Sequence, residues 1–222
     1  MRRSPASRGG RPSRAQSEKL GDHILDTATT LFLTHGYGAT SIEEVARRAR
    51  VSKRTFYHRF EDKQALFGAV VHRIVERLRP GADVPLIEGA DLPAILLRLA
   101  QLILQAALSP HAIALHRLIV GESGRFPKLA AVANQATDEA VTLIAGLLDR
   151  EARTGRITLE DPRFAARQFL YMVIAMPQRL AMGLGVPMSA KELRDWPHDV
   201  VTLFLEGCRW RARASARRTA DG

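Results

Sequence analysis

VSKRTFYHRF, residues 51–60, packs three cations, two hydroxyls, a phenol and an imidazole among three apolar residues. It is either an ordinary charged surface helix or a face built to meet an anion. A helical wheel separates the two readings. Phe56 and Phe60 fall together at about 40° and 80° from Ser52, whereas Arg54 and His58 fall at about 200° and 240°. Thr55 flanks that outward arc on one side and Tyr57 with Lys53 on the other. Long donors and short hydroxyls on one face, opposite a buried aromatic pair, suit the reading of base edges and phosphate oxygens.

The flanking sequence supports this reading. Thr40 or Ser41 starts a short helix, with Glu43 and Glu44 each three residues on, as a reciprocal cap requires. Ile42, Val45, Ala46 and Ala49 give that helix its buried face, and Ala49-Arg50-Val51 turn it into the next. Two helices of about seven residues are too short to stand alone. A helix-turn-helix explains the shortness, because its second helix must project far enough to enter a major groove. Before the pair, residues 17–35 carry Leu20, Ile24, Ala28, Leu31 and Phe32 on one face, with Gly36 as the C-terminal cap. After it, Asp62 caps a helix in which Leu66, Val70, Ile74 and Leu78 fall four apart until Pro80-Gly81.

The formal net charge is +10, and its distribution is uneven. Residues 1–63 hold 13 Lys/Arg against 7 Asp/Glu, residues 64–208 hold 15 of each sign, and residues 209–222 hold five Arg and one Asp. A neutral middle with basic ends predicts a local meeting with a polyanion, either nucleic acid or an anionic membrane surface. The single Cys208 permits no intrachain disulfide and fits a reducing compartment, either as a buried apolar residue or as a redox-sensitive thiol. The basic N-terminus has no apolar core or cleavage site behind it, and Arg98, Gln101 and Gln105 interrupt the longest apolar run. The expectation is a soluble, cytoplasmic protein that neither spans nor binds a membrane.

Apolar residues recur every three to four positions throughout, which predicts an all-α fold. Residues 1–16 read as a disordered basic arm and 17–79 as the helix-turn-helix domain. Residues 80–213 read as a second helical domain, and 214–222 as a basic tail. In the second domain the expected helices are 92–108, 111–122, 128–153, 162–182 and 196–213, with Asp161-Pro162 and Asp195-Trp196-Pro197 as starts and Pro177 as a kink.

The segment TSIEEVARRARVSKRTFYHRFEDKQALF resembles the DNA-binding signature of TetR/AcrR-type transcriptional regulators, and the likeness extends over residues 16–71. The resemblance implies phosphate contacts from Thr40, Ser41, Tyr57 and Lys63, groove-facing roles for Lys53, Arg54, Thr55 and His58, and a DNA-binding role for Ser52. Two departures stand out. Arg50 replaces the usual turn glycine, which predicts a tighter or differently angled turn. Arg54 replaces a commonly small residue, and its guanidinium suits guanine recognition. The arm arginines Arg2, Arg3, Arg8, Arg11 and Arg14 suit backbone or minor-groove contacts.

HRLIVGESGRFPKLA and DPRFAARQFLYMVIAM resemble the C-terminal domains of one large subgroup of that family. The resemblance implies a homodimer through the last two helices and an unidentified small-molecule effector bound among the middle ones. His111, His116, Phe169, Met172 and Met176, with Tyr171 and Trp196, suit an adaptable apolar pocket, although taken singly each suits plain core or dimer packing better. His111 and His116 lie five apart and make a poor metal pair. No paired carboxylates, activated nucleophile, CxxC or phosphate loop argues for an enzyme, and no metal or cofactor is implied. The expected function is repression from a near-palindromic double-stranded DNA operator, relieved by a hydrophobic ligand. A regulator without ligand control, an all-helical binder of lipophilic molecules and a non-specific DNA-packaging protein stay open as alternatives.

Overall fold

The computed structural model describes residues 14–78 and 91–207, and over these it is all α. Its helices are α1 Arg14–His35, α2 Ile42–Arg48, α3 Lys53–Tyr57, α4 Lys63–Leu78, α5 Leu92–Ala107, α6 Pro110–Glu122, α7 Pro127–Arg153, α8 Pro162–Ala181 and α9 Ala190–Gly207. Arg2, Arg3, Arg8, Arg11, Pro80-Gly81, Cys208 and the C-terminal tail lie outside the described residues. The expected arm boundary at residue 16 shifts, because α1 is already helical from Arg14.

Local chemistry sets most boundaries. Gly36, at φ 87°, ends α1 with its N–H bonded to the Phe32 carbonyl at 3.0 Å. Asp62, Asp91 and Asp161 each accept from a backbone N–H two or three residues on, starting α4, α5 and α8. α8 continues through Pro177, which is buried.

The expected start of α9 at Trp196 is corrected to Ala190. Ser189 Oγ accepts from Glu192 N at 3.2 Å while Ser189 N donates to Glu192 Oε2 at 2.7 Å, a reciprocal capping box. Asp195 is therefore no cap. Lys191 Nζ lies 2.6 Å from its carboxylate across one turn, and Pro197 sits buried inside the helix.

The chain divides into two compact units. The first takes the described residues up to Glu76 together with Ala114–Ala133, and the second takes Arg77–Ile113 and the residues from Asn134. A boundary drawn near residue 79 thus misses the segment 114–133, and the division falls inside α6 and α7. The first unit's core gathers Ile24, Ala28, Phe32, Val45, Phe56, Leu66, Phe67 and Val70, all fully buried. In the second unit α5, α8 and α9 are mutual neighbours. Leu96, Ala100, Leu148, Phe169 and Val173 are among the side chains at its centre. Among the described residues no single helix is long and apolar enough to cross a membrane.

Candidate nucleic-acid interface

α2 and α3 are short because each is capped at both ends. Ser41 Oγ accepts from Glu44 N at 3.1 Å to start α2. Ser52 Oγ accepts from Thr55 N at 3.1 Å to start α3, and meets Thr55 Oγ1 at 2.8 Å. Between them Val51 N bonds the Ala46 carbonyl and Arg50 N bonds the Arg47 carbonyl, a Schellman termination with Arg50 at φ 54°. A glycine adopts that left-handed conformation without strain, so Arg50 carries a backbone cost at this turn.

Phe56 is the anchor that orients α3. It is fully buried, with Phe60 tilted against it and Tyr57 edge-on, both at ring-centroid separations of 5.6 Å. Burying Phe56 turns Ser52, Lys53, Arg54, Tyr57 and His58 to solvent, with Thr55 half-buried beside them. The outward arc read from the wheel is thus the exposed face.

Seven cations lie between residues 47 and 63, and five are engaged by the protein itself. Glu44 takes Arg47 through Nε and Nη2 at 2.8 Å and Arg48 through Nε at 2.7 Å. Those hydrogen bonds pull its carboxyl down to about 2. Lys53 Nζ lies 2.9 Å from Glu43 Oε1. This hydrogen bond raises the lysine's pKa and lowers the glutamate's. Arg59 bonds Ser17 through both its carbonyl and its hydroxyl. Lys63 Nζ donates to Thr40 O at 2.7 Å and to Gly38 O at 3.4 Å, and lies 4.4 Å over the Tyr37 ring. Desolvation lowers the Lys63 pKa. The guanidiniums of Arg50 and Arg54 have no hydrogen-bond or ion-pair partner among the described residues.

Two of the residues expected to contact phosphate are engaged within the protein. Thr40 is buried, and its hydroxyl donates to Gly36 O at 2.8 Å, so it is not presented at the surface. Lys63 braces the loop before α2 and offers only its remaining N–H to a ligand.

A family model described as "Bacterial regulatory proteins, tetR family" matches residues 24–70, and one described as "AefR-like transcriptional repressor, C-terminal domain" matches residues 94–207. The chain belongs to the TetR family. A TetR-family transcriptional regulator from Mesorhizobium loti has 28% identity and a TM-score of 0.72, with 88% of this chain and 98% of that one covered. The flavonoid-responsive regulator FrrA has 32% identity and a TM-score of 0.72, with 88% and 100% covered. The transcriptional activator FasR of Mycolicibacterium smegmatis is 33% identical over 87 residues, 39% of this chain and 40% of that protein. The transcriptional repressor DhaR of a Mycobacterium is 30% identical over 73 residues, 33% of this chain and 36% of that protein. The match thus spans less than half the length of these two curated relatives.

In this TetR-family chain the side chains expected to line a ligand pocket are dispersed. Phe169 is fully buried, with Phe204 edge-on at 5.1 Å, and is a core residue. Met172 packs against the same core, and Trp196 satisfies its indole N–H on the Val173 carbonyl at 3.0 Å. Met176, Tyr171 and His111 are exposed. His116 belongs to the first unit and His111 to the second. Burial lowers the His116 pKa. The second unit also carries an open groove of about 460 Å³ between α5 and α9, lined by Gln101, Leu104, Gln105, Leu108, Leu193, Arg194 and Pro197. None of the expected ligand residues lines it. Sequence reasoning missed it because Gln101 and Gln105 read as interruptions of an apolar helix. Among the described residues no cluster of His, Cys, Asp or Glu is arranged to hold a metal ion.

Proposed function

We propose that this TetR-family regulator binds a near-palindromic DNA operator as a homodimer, represses transcription there, and is released by a small hydrophobic ligand. The observation that carries the DNA-binding reading is the exposed arc of Lys53, Arg54, Tyr57 and His58 around the buried Phe56. Arg54 supplies base discrimination in this reading, because its guanidinium is unengaged and a bidentate pair with guanine is worth about 1–3 kcal/mol.

Dimerisation through α8 and α9 is supported by the side chains α8 leaves in solvent. Phe164, Gln168, Tyr171 and Ala175 recur at helical spacing and are exposed, as is Leu203 on α9. Two copies would place their recognition helices about one DNA turn, roughly 34 Å, apart. Repression is supported by the repressor-type C-terminal family model. The relative FasR, named an activator, keeps the opposite sign as a second reading. Ligand control is supported by FrrA, named flavonoid-responsive. Switching from almost wholly bound to almost wholly released needs a preference of about 5.5 kcal/mol for the released state. In this proposal α4, which runs from Lys63 in the first unit into the second at Arg77, carries the change.

The test is selection of bound sequences from random double-stranded DNA by the purified protein. A two-fold symmetric motif that weakens with salt is expected, and loss of discrimination at one position is expected for Arg54→Ala. Salt-dependent binding without sequence preference would refute specificity, and a protein that sediments as a monomer at micromolar concentration would refute the operator geometry.

A further inference from the structure

The loop between α1 and α2 is gripped from two sides. Lys63 takes its carbonyls at Gly38 and Thr40. From the other side Glu122, the last residue of α6, takes its amides. Glu122 Oε1 accepts from Tyr37 N at 2.6 Å, and Oε2 accepts from Gly38 N at 2.7 Å. Two successive backbone N–H groups following a left-handed residue form an anion cradle, and here the protein's own carboxylate fills it. The surroundings are fitted to that group. A Cβ on residue 36 would collide with Glu122 Oε1. A Cβ on residue 38 would sit 3.1 Å from Oε2 and 3.3 Å from the Phe126 ring. Phe126 in turn packs edge-on against Tyr37 at 5.1 Å. The position of Glu122 has no rationale within α6 itself, since a carboxylate at a helix C-terminus opposes the helix dipole.

We propose that Glu122 is a positioning residue for DNA binding, latching the α1–α2 loop and hence the Ser41 cap that opens α2. This rests on the DNA-binding reading above and goes beyond it, because it makes the operator-competent geometry conditional on the end of α6. Helix α6 starts in the second unit and delivers Glu122 to the first. A shift of its last turn would withdraw one carboxylate and free two amides together, a discrete change and not a graded one.

The experiment compares wild type, Glu122→Gln and Gly38→Ala, with DNA selected by the wild type as probe. Glu122→Gln keeps the side chain's shape and loses the charge and one acceptor. Gly38→Ala leaves the carboxylate chemically intact and presses a Cβ to 3.1 Å from Oε2, forcing a shift of a few tenths of an ångström that strains both hydrogen bonds. Both are expected to weaken the selected site about tenfold. Affinity for random DNA should not fall in either variant and the salt slope should be unchanged, because no cation is removed. Amide exchange at Tyr37 and Gly38 should accelerate in both while the melting temperature of the second unit holds. Wild-type affinity for the selected site in Glu122→Gln, or an equal loss on selected and random DNA, would overturn the positioning role. Unchanged exchange at the two amides would overturn the latch itself. If the wild type selects no sequence, the failure belongs to the DNA-binding reading and takes the positioning role with it.

Discussion

Replacing Arg50 by glycine should stabilise the protein, which is an unusual expectation for deleting a long side chain. Arg50 holds φ at 54° to close the Schellman turn between α2 and α3. A left-handed conformation costs an L-residue about 1–2 kcal/mol. Glycine removes that cost and adds back about 0.5–1 kcal/mol of backbone entropy lost on folding. The net gain is about 0.5–1 kcal/mol. Little opposes it, because the Arg50 side chain is exposed and has no partner among the described residues. For a chain of this size the melting temperature should rise by about 1–4 °C, read by circular dichroism. A melting temperature that stays level or falls would refute the reasoning, since the side chain would then be doing compensating work in the free protein. The same variant tests what the strain is for. If the guanidinium meets a phosphate in the complex, the logarithmic salt slope of DNA binding falls by about 0.9; if it points to solvent there, the slope is unchanged.

Glu43→Gln should strengthen DNA binding several-fold at low salt, because it frees Lys53 and deletes a negative charge beside the recognition helix. The gain should shrink as salt is raised, which anisotropy titrations at two ionic strengths would show; equal or weaker binding would sink the idea. Phe56→Ala should destabilise the first unit by about 3–5 kcal/mol and abolish sequence-specific binding while the second unit keeps its helicity; a variant that still discriminates its operator would mean that Phe56 does not orient α3. Burial lowers the His116 pKa, so as pH falls the unfolded chain takes up this proton first, near about 6.5. The stabilising contribution is therefore present above that value and lost as pH drops towards the folded one. His116→Gln should flatten the fall in melting temperature between about pH 7.5 and 5.5, and an unaltered profile would assign the fall to other groups.

What was legible in the sequence was chemistry confined to a turn or two of helix. The caps at Ser41, Ser52, Asp62 and Asp161, the glycine stop at residue 36 and the inward side of α3 all depend on residues two to four apart, so spacing alone reveals them. The start of α9 failed because two valid signals compete, and the choice of Ser189 with Glu192 over Asp195 with Pro197 is made by which box closes on both sides. Thr40 and Ser41 are equally good caps on paper. Their difference is that the Thr40 hydroxyl turns back to the Gly36 carbonyl, a backbone geometry spacing does not encode. Phe169 shows a further limit, since a core residue and a pocket wall share one apolar periodicity. Glu122 lies 84 and 85 residues from the amides it binds, and no local pattern announces it.

The same distinction bears on how the charge of this region acts. Counted along the chain, the cations from Arg47 to Lys63 look like a uniform basic patch. In the fold Glu44 occupies two of them, Glu43 one, the start of α1 one and the loop before α2 one. A phosphate can engage Lys53 through the ammonium's remaining N–H groups, but the Glu43 carboxylate 2.9 Å away repels it, so the contact yields less than a free lysine would. Non-specific attraction is reduced by that neighbouring carboxylate, whereas Arg54 has no such partner to offset its meeting with a base edge. In the proposed reading Glu43 and Glu44, whose carboxylates hold Lys53, Arg47 and Arg48 while Ser41 caps α2, lower the affinity available from charge alone and leave discrimination to Arg54.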